Sequence, residues 1–124
     1  MIGKIYKAIT PYYDQNSQKM AFKGRPALVI AKADEKDVIV LPVSTISYKK
    51  NIHPIYDIKI DPAEYPKTNL KKISYVRTHK QTVIHIAELA GEICDLRLEY
   101  EELYCKVIEK REEFSKDITE QALG

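Results

Sequence analysis

The apolar residues of this 124-residue chain change period once, near residue 95, and that change constrains the fold more than any other feature. Before it, apolar positions come in short alternating or β-branched runs. After it, Leu96, Tyr100, Leu103, Tyr104, Val107, Ile108 and Phe114 recur every three or four residues. Alternation sends side chains to opposite faces of a strand, whereas three-to-four spacing gathers them on one face of a helix. The chain therefore reads as a β body followed by one terminal helix. Asp95 is a natural N-cap, and Glu99, Glu101 and Glu102 lie near the positive end of the helix dipole.

Charge changes together with the period. Residues 1–82 hold 15 Lys/Arg against 7 Asp/Glu, and residues 83–124 hold 5 against 11. The net charge of +2 thus conceals a basic body and an acidic tail, a layout that can engage a polyanion without global basicity. Length and an apolar content of 44% fit one globular domain, expected over residues 1–117. Residues 118–124 carry no apolar pattern and are expected to fray. No apolar run is long enough to span a bilayer, and the first residues lack the apolar core of a signal peptide, so the cytoplasm is the expected location. Cys94 and Cys105 fit reduced thiols there, Cys105 as a packing residue. His53, His79 and His85 form no metal-ligating spacing, so neither metal nor other cofactor is expected.

Residues 2–9 alternate as a half-exposed strand. Residues 26–31 and 37–43 are β-branched runs joined by Ala33-Asp34-Glu35-Lys36 as a hairpin, and further strands are expected at 54–60, 73–79 and 82–86. Residues 10–23 read as a long polar loop, the kind that serves as a lid or binding element. About six short strands and one helix predict a mainly β fold, a small and strongly bent barrel closed by a C-terminal helix.

Four groups of residues could carry chemistry. Arg25, in Gly24-Arg25-Pro26-Ala27-Leu28-Val29-Ile30, precedes a proline and so opens the strand in extended geometry. Its planar, permanent cation suits phosphate oxygens, although a surface arginine flanking a strand would look the same. Ser44 and Thr45 end the neighbouring strand, and the hairpin brings them to the end that holds Arg25; Ser and Thr are also ordinary turn residues. In Tyr75-Val76-Arg77-Thr78-His79-Lys80, two cations flank an imidazole that titrates near neutral pH, against the plain alternative of a solvated strand end. In the 10–23 segment, Tyr12, Tyr13 and Phe22 lie near Lys19 and Lys23, a mixture suited to stacking on unpaired bases or to packing on the barrel. His85 reads as a satisfied structural histidine, and His53 has no evident partner.

In their order these segments resemble the MazF/PemK (Kid-type) toxin family of bacterial toxin–antitoxin modules. The likeness runs from about Gly3 to Phe114, through Gly3-Lys4-Ile5-Tyr6, the arginine–proline strand, Val40-Leu41-Pro42-Val43-Ser44-Thr45 and the strand ending at His79. It implies an SH3-like barrel of the CcdB/PemK kind and a homodimer. It also implies a metal-independent endoribonuclease that cuts single-stranded RNA at short sequences, held in check by a cognate antitoxin. By position, Arg25 resembles the catalytic arginine, Ser44 the strand-end hydroxyl and Thr45 the polar residue after it, while Arg77 matches an arginine of some members. Lys4 and His79 stand where acidic residues occur in the family. The expectation is catalysis by Arg25, Ser44 and His79, the last as base or acid. RNA contacts are expected from Tyr12, Tyr13, Lys19, Lys23, Thr45, Arg77 and Lys80. The competing reading is a non-catalytic barrel of the same shape, either a nucleic-acid binding module or a gyrase-directed poison of the CcdB type.

Overall fold

A computed structural model describes the backbone of all 124 residues and every side chain except those of Thr10, Pro11 and Tyr12. Seven strands form its body: β1 (Lys4–Asp14), β2 (Lys19–Lys32), β3 (Asp37–Ser44), β4 (Asp57–Ile60), β5 (Ser74–Arg77), β6 (Thr82–His85) and β7 (Leu89–Asp95). Two helices follow, α1 (Leu96–Glu99) and α2 (Glu101–Leu123). The strands run antiparallel in the order β4-β5-β3-β2-β1-β7. The outer edge of β3 is shared: Asp37 to Val40 pair with β6, and Val43 and Ser44 pair with β5. One strand serving two partners bends the sheet into the expected barrel, with the helix at its side.

Ala27-Leu28-Val29 reads as an unbroken apolar run because β2 is buried on both faces. Toward the helix, Ile5, Leu28, Leu41, Val43, Ile58, Ile60 and Val76 pack with Leu96, Leu103, Tyr104 and Val107. The other face carries a smaller cluster of Ala8, Ala27, Val29, Val38 and Val40, edged by Tyr6, Ile84 and Leu89. Gly3 joins the first strand to the first helix. It takes φ of +90°, and a Cβ there would lie 2.5 Å from Cβ of Arg97, so only glycine permits Arg97 N–H to donate to its carbonyl at 3.0 Å.

Three expectations are corrected. The polar loop at 10–23 is instead the far half of a long β1–β2 hairpin, paired without slippage from Ile5↔Leu28 to Asp14↔Lys19. Its polar residues signal exposure of a protruding ribbon rather than absence of structure. The Asp14 carboxylate accepts from Asn16 N–H and Ser17 O–H, and Gln18 turns the chain with φ of 55°. The terminal helix is broken at Tyr100, whose hydroxyl accepts from Lys67 N–H at 2.9 Å while its ring edge meets Tyr65. Finally, residues 118–123 continue α2 rather than fray, with Gln121 donating to Asp117 one turn back. The strand Leu89–Asp95 lies outside the strands expected from the sequence. Asp95 does cap the first helix, its carboxylate accepting from Leu98 N–H at 3.0 Å.

Candidate functional site

Strand register assembles the site. The β2–β3 pairing ends at Ala27↔Pro42, and two residues beyond it, at the same end and on the same faces, stand Arg25 and Ser44. On the other side of β2, Arg25 pairs with Ala8, and Ser44 pairs with Tyr75 of β5. Cross-strand partners share a face, so Ala8, Arg25, Ser44 and Tyr75 form a row across four strands on the face away from the helix.

Two depressions meet at this row. The larger, about 480 Å³, is floored by Ala8, Ala27, Val40, Pro42 and Ile84 and rimmed by Lys23, Arg25, Ser44, Thr82 and Glu88. The smaller, about 290 Å³, lies at the strand ends and is lined by Lys23, Gly24, Arg25, Pro26, Val43, Ser44, Thr45 and Ser74. Lys23, Arg25, Pro26 and Ser44 border both. The site thus joins an apolar floor to a cationic, hydroxyl-bearing rim, with the guanidinium exposed at the junction.

The remaining sequence candidates are distributed as follows. Lys23 and Lys19 alternate with Arg25 along β2 and share its face, and Lys23 reaches the cavities. Tyr13, in register with Met20, lies on the opposite face of the ribbon together with Phe22 and Ile9, all exposed. The side chain of Tyr12 lies outside the described residues. Lys80 is exposed in the turn after β5 and lines neither cavity.

Arg77 and His79 belong to a separate cluster. The Asp57 carboxylate has no exposed surface; it accepts from Arg77 Nε at 3.2 Å, from Arg77 Nη2 at 3.5 Å and from His53 N–H at 2.7 Å. Arg77 Nη2 also donates to the carbonyl of Asn51 at 3.3 Å. His53 Nδ1 accepts from the N–H groups of Ile55 and Tyr56, which gives it the partners the sequence did not reveal. His79 packs among His53, Tyr56 and Phe114. Among the described residues its buried Nδ1 has no hydrogen-bond partner, and it lies 3.8 Å from Asp57 Oδ1. Burial lowers the pKa of His79, Asp57 opposes that shift, and Arg77 adds to it. The sequence expectation grouped Arg25, Ser44 and His79. The first two border common cavities, while His79 lines neither and packs where helix α2 meets the 51–57 segment.

Thr82, Ile84 and Glu88 line the large cavity but were absent from the sequence candidates. The pairings Val40↔Thr82 and Val38↔Ile84 place β6 on that face, a long-range register that alternation within 82–86 could not supply. His85 is structural, as expected: its Nδ1 accepts from Ala87 N–H at 2.9 Å.

The fold and this site define a curled, mainly β barrel with a C-terminal helix, and with Arg25 and Lys23 at the cavities on the face away from that helix. A family model, the PemK-like, MazF-like toxin of type II toxin-antitoxin systems, matches residues 3–108, and the chain belongs to that family. Type II membership implies an antitoxin partner. The fold is similar to that of Mycobacterium tuberculosis toxin MazF-mt6, with TM-score 0.63 and 16% identity over 91% of this chain and 96% of that one. A second solved structure, titled as an Mtb toxin, aligns with TM-score 0.56 and 15% identity over 85% of this chain and 99% of that one. No curated protein matches the sequence. Among the described residues, no helix is long and apolar enough to cross a membrane.

Proposed function

We propose that this protein is a sequence-specific endoribonuclease that cleaves single-stranded RNA without a metal ion. The observation that carries the reading is that Arg25 and Ser44 together border both cavities. RNA supplies its own nucleophile, so the protein need only hold the phosphate and stabilise charge as it develops. The 2′-oxygen attacks the adjacent phosphorus, the bond from phosphorus to the 5′-oxygen breaks, and the products are a 2′,3′-cyclic phosphate and a 5′-hydroxyl.

Arg25 holds the non-bridging oxygens through the crowded intermediate, where their charge is greatest. With a guanidinium pKa above ~12, its contribution is electrostatic rather than proton donation. Ser44 Oγ–H donates to the same phosphate, while Lys23 and Thr45 steer the flanking backbone. Proton transfers from the 2′-oxygen and to the 5′-oxygen pass through water. This reading assigns no proton transfer to His79, which lines neither cavity, and Arg77 acts by pairing with Asp57 rather than by touching RNA. Homodimerisation, action in the cytoplasm and neutralisation by a cognate antitoxin belong to the same proposal.

The test uses a short RNA that the protein cleaves in the presence of chelator. A single deoxyribose on the 5′ side of the cut is expected to abolish cleavage, and the downstream fragment of the normal substrate should accept a phosphate from polynucleotide kinase directly. Cleavage of the deoxy-substituted strand, or a 5′-phosphate on that fragment, would overturn the mechanism.

A further inference from the structure

We infer that the large cavity beside Arg25 is a nucleobase subsite in which Glu88 selects guanine; this rests on the ribonuclease reading above. The floor of Ala8, Ala27, Val40, Pro42 and Ile84 offers a phosphate nothing, since it has no donor side chain. A flat, apolar base face is the part of a nucleotide that such a surface favours. Ala8 and Ala27 are small, so a cavity of about 480 Å³ stays open where larger side chains would fill it. Arg25 and Ser44 lie on one rim, which seats the nucleotide's phosphate there and directs its base across the floor.

Glu88 is the acidic residue of the cavity lining, which also holds Lys23 and Arg25. It sits in a short 3-10 turn, Ile86–Glu88, after β6, and forms no ion pair among the described residues. A carboxylate repels phosphate and only accepts hydrogen bonds, so its chemistry here is to receive donors from a base edge. Guanine presents N1–H and an N2 amino group side by side, matching two carboxylate oxygens. Adenine and cytosine offer an amino group beside an acceptor nitrogen. Uracil offers N3–H flanked by two carbonyl oxygens that the carboxylate repels. Guanine is therefore the base this rim favours.

The experiment measures binding rather than cleavage, so it does not depend on the nuclease reading. Fluorescence anisotropy compares the wild-type protein with Glu88→Gln on short RNAs whose scissile ribose is deoxy and whose other residues are fixed. One position is varied among guanine, inosine (which lacks the N2 amino group) and 7-deazaguanine (which lacks the N7 acceptor). For the wild type, inosine should weaken binding about tenfold, the loss of one of two paired bonds, and 7-deazaguanine should change nothing. Glu88→Gln should bind guanine and inosine within about twofold of one another, because an amide cannot accept from both donors. Loss of binding to 7-deazaguanine, or guanine preference retained in Glu88→Gln, would overturn the subsite and leave the nuclease reading standing. So would a Glu88→Gln protein that keeps its base preference but cleaves normal RNA far more slowly, since the carboxylate would then be acting on a proton. A wild-type protein that binds none of the RNAs would overturn both.

Discussion

Replacing Arg77 with methionine should destabilise the protein by an amount that depends on pH in a direction set by His79. Asp57 is fully buried, and the Arg77 side chain is only a quarter exposed. Removing one partner of a buried ion pair costs about 3–5 kcal/mol, chiefly because the remaining charge is stranded. Here a substitute cation stands close by, since His79 Nδ1 lies 3.8 Å from Asp57 Oδ1 with no hydrogen-bond partner among the described residues. In the wild type, burial depresses the pKa of His79 and Arg77 depresses it further. A depressed histidine contributes stability that is present above its unfolded value of about 6.5 and lost as pH falls toward the folded value. In Arg77→Met the balance reverses. His79 becomes the counter-ion of Asp57, its folded pKa rises, and the stability it adds is present below about 6.5 and lost as pH rises through the folded value. The cost should therefore be full near pH ~8 and smaller by about 1–2 kcal/mol near pH ~5.5, one pKa unit being about 1.4 kcal/mol. Urea unfolding followed by circular dichroism at both pH values reads this directly, and adding His79→Gln should remove the pH dependence of the difference. A cost below about 1 kcal/mol, or one identical at the two pH values, would refute the reasoning.

Two further outcomes follow from the packing. Cys94 is buried and its thiol is pushed up to about 11, whereas Cys105 is exposed. One thiol per native chain should therefore react promptly with a chromogenic disulfide, and two after denaturation; two prompt reactions would contradict the burial. Asp95→Ala removes the side-chain cap of α1 and should cost about 1 kcal/mol in the same urea assay, against no change if Leu98 N–H finds water at no penalty.

The legible parts of this chain were those encoded locally. The apolar run after Arg25, the hairpin through Asp34 and the three-to-four spacing after Asp95 each declare their element within a dozen residues. The hairpin also brings Arg25 and Ser44 to one end, and both border the same two cavities. What escaped notice depends on distant pairing. The β1–β2 ribbon keeps polar side chains because little packs against its tip, so its pattern resembles that of a loop. His79 reads as a catalytic group because an imidazole beside two cations is what a phosphate site offers. Asp57, His53 and Phe114, which surround it, arrive from segments more than twenty residues away. Glu88 stayed invisible for the same reason: only the pairing of β6 with β3 carries the turn after it to the rim of the cavity.

In the proposed mechanism Arg25 holds a phosphate whose own ribose performs the attack. Its most direct measurement is single-turnover cleavage of a saturating single-stranded RNA, with chelator present, by the wild type, Arg25→Ala and Arg25→Lys. Loss of a preorganised charge-stabilising donor is expected to slow Arg25→Ala by about 10²–10³-fold. Arg25→Lys should recover part of that rate, and the urea stability of all three should match because the side chain is exposed. Equal rates for wild type and Arg25→Ala would show that this guanidinium does not stabilise the reacting phosphate.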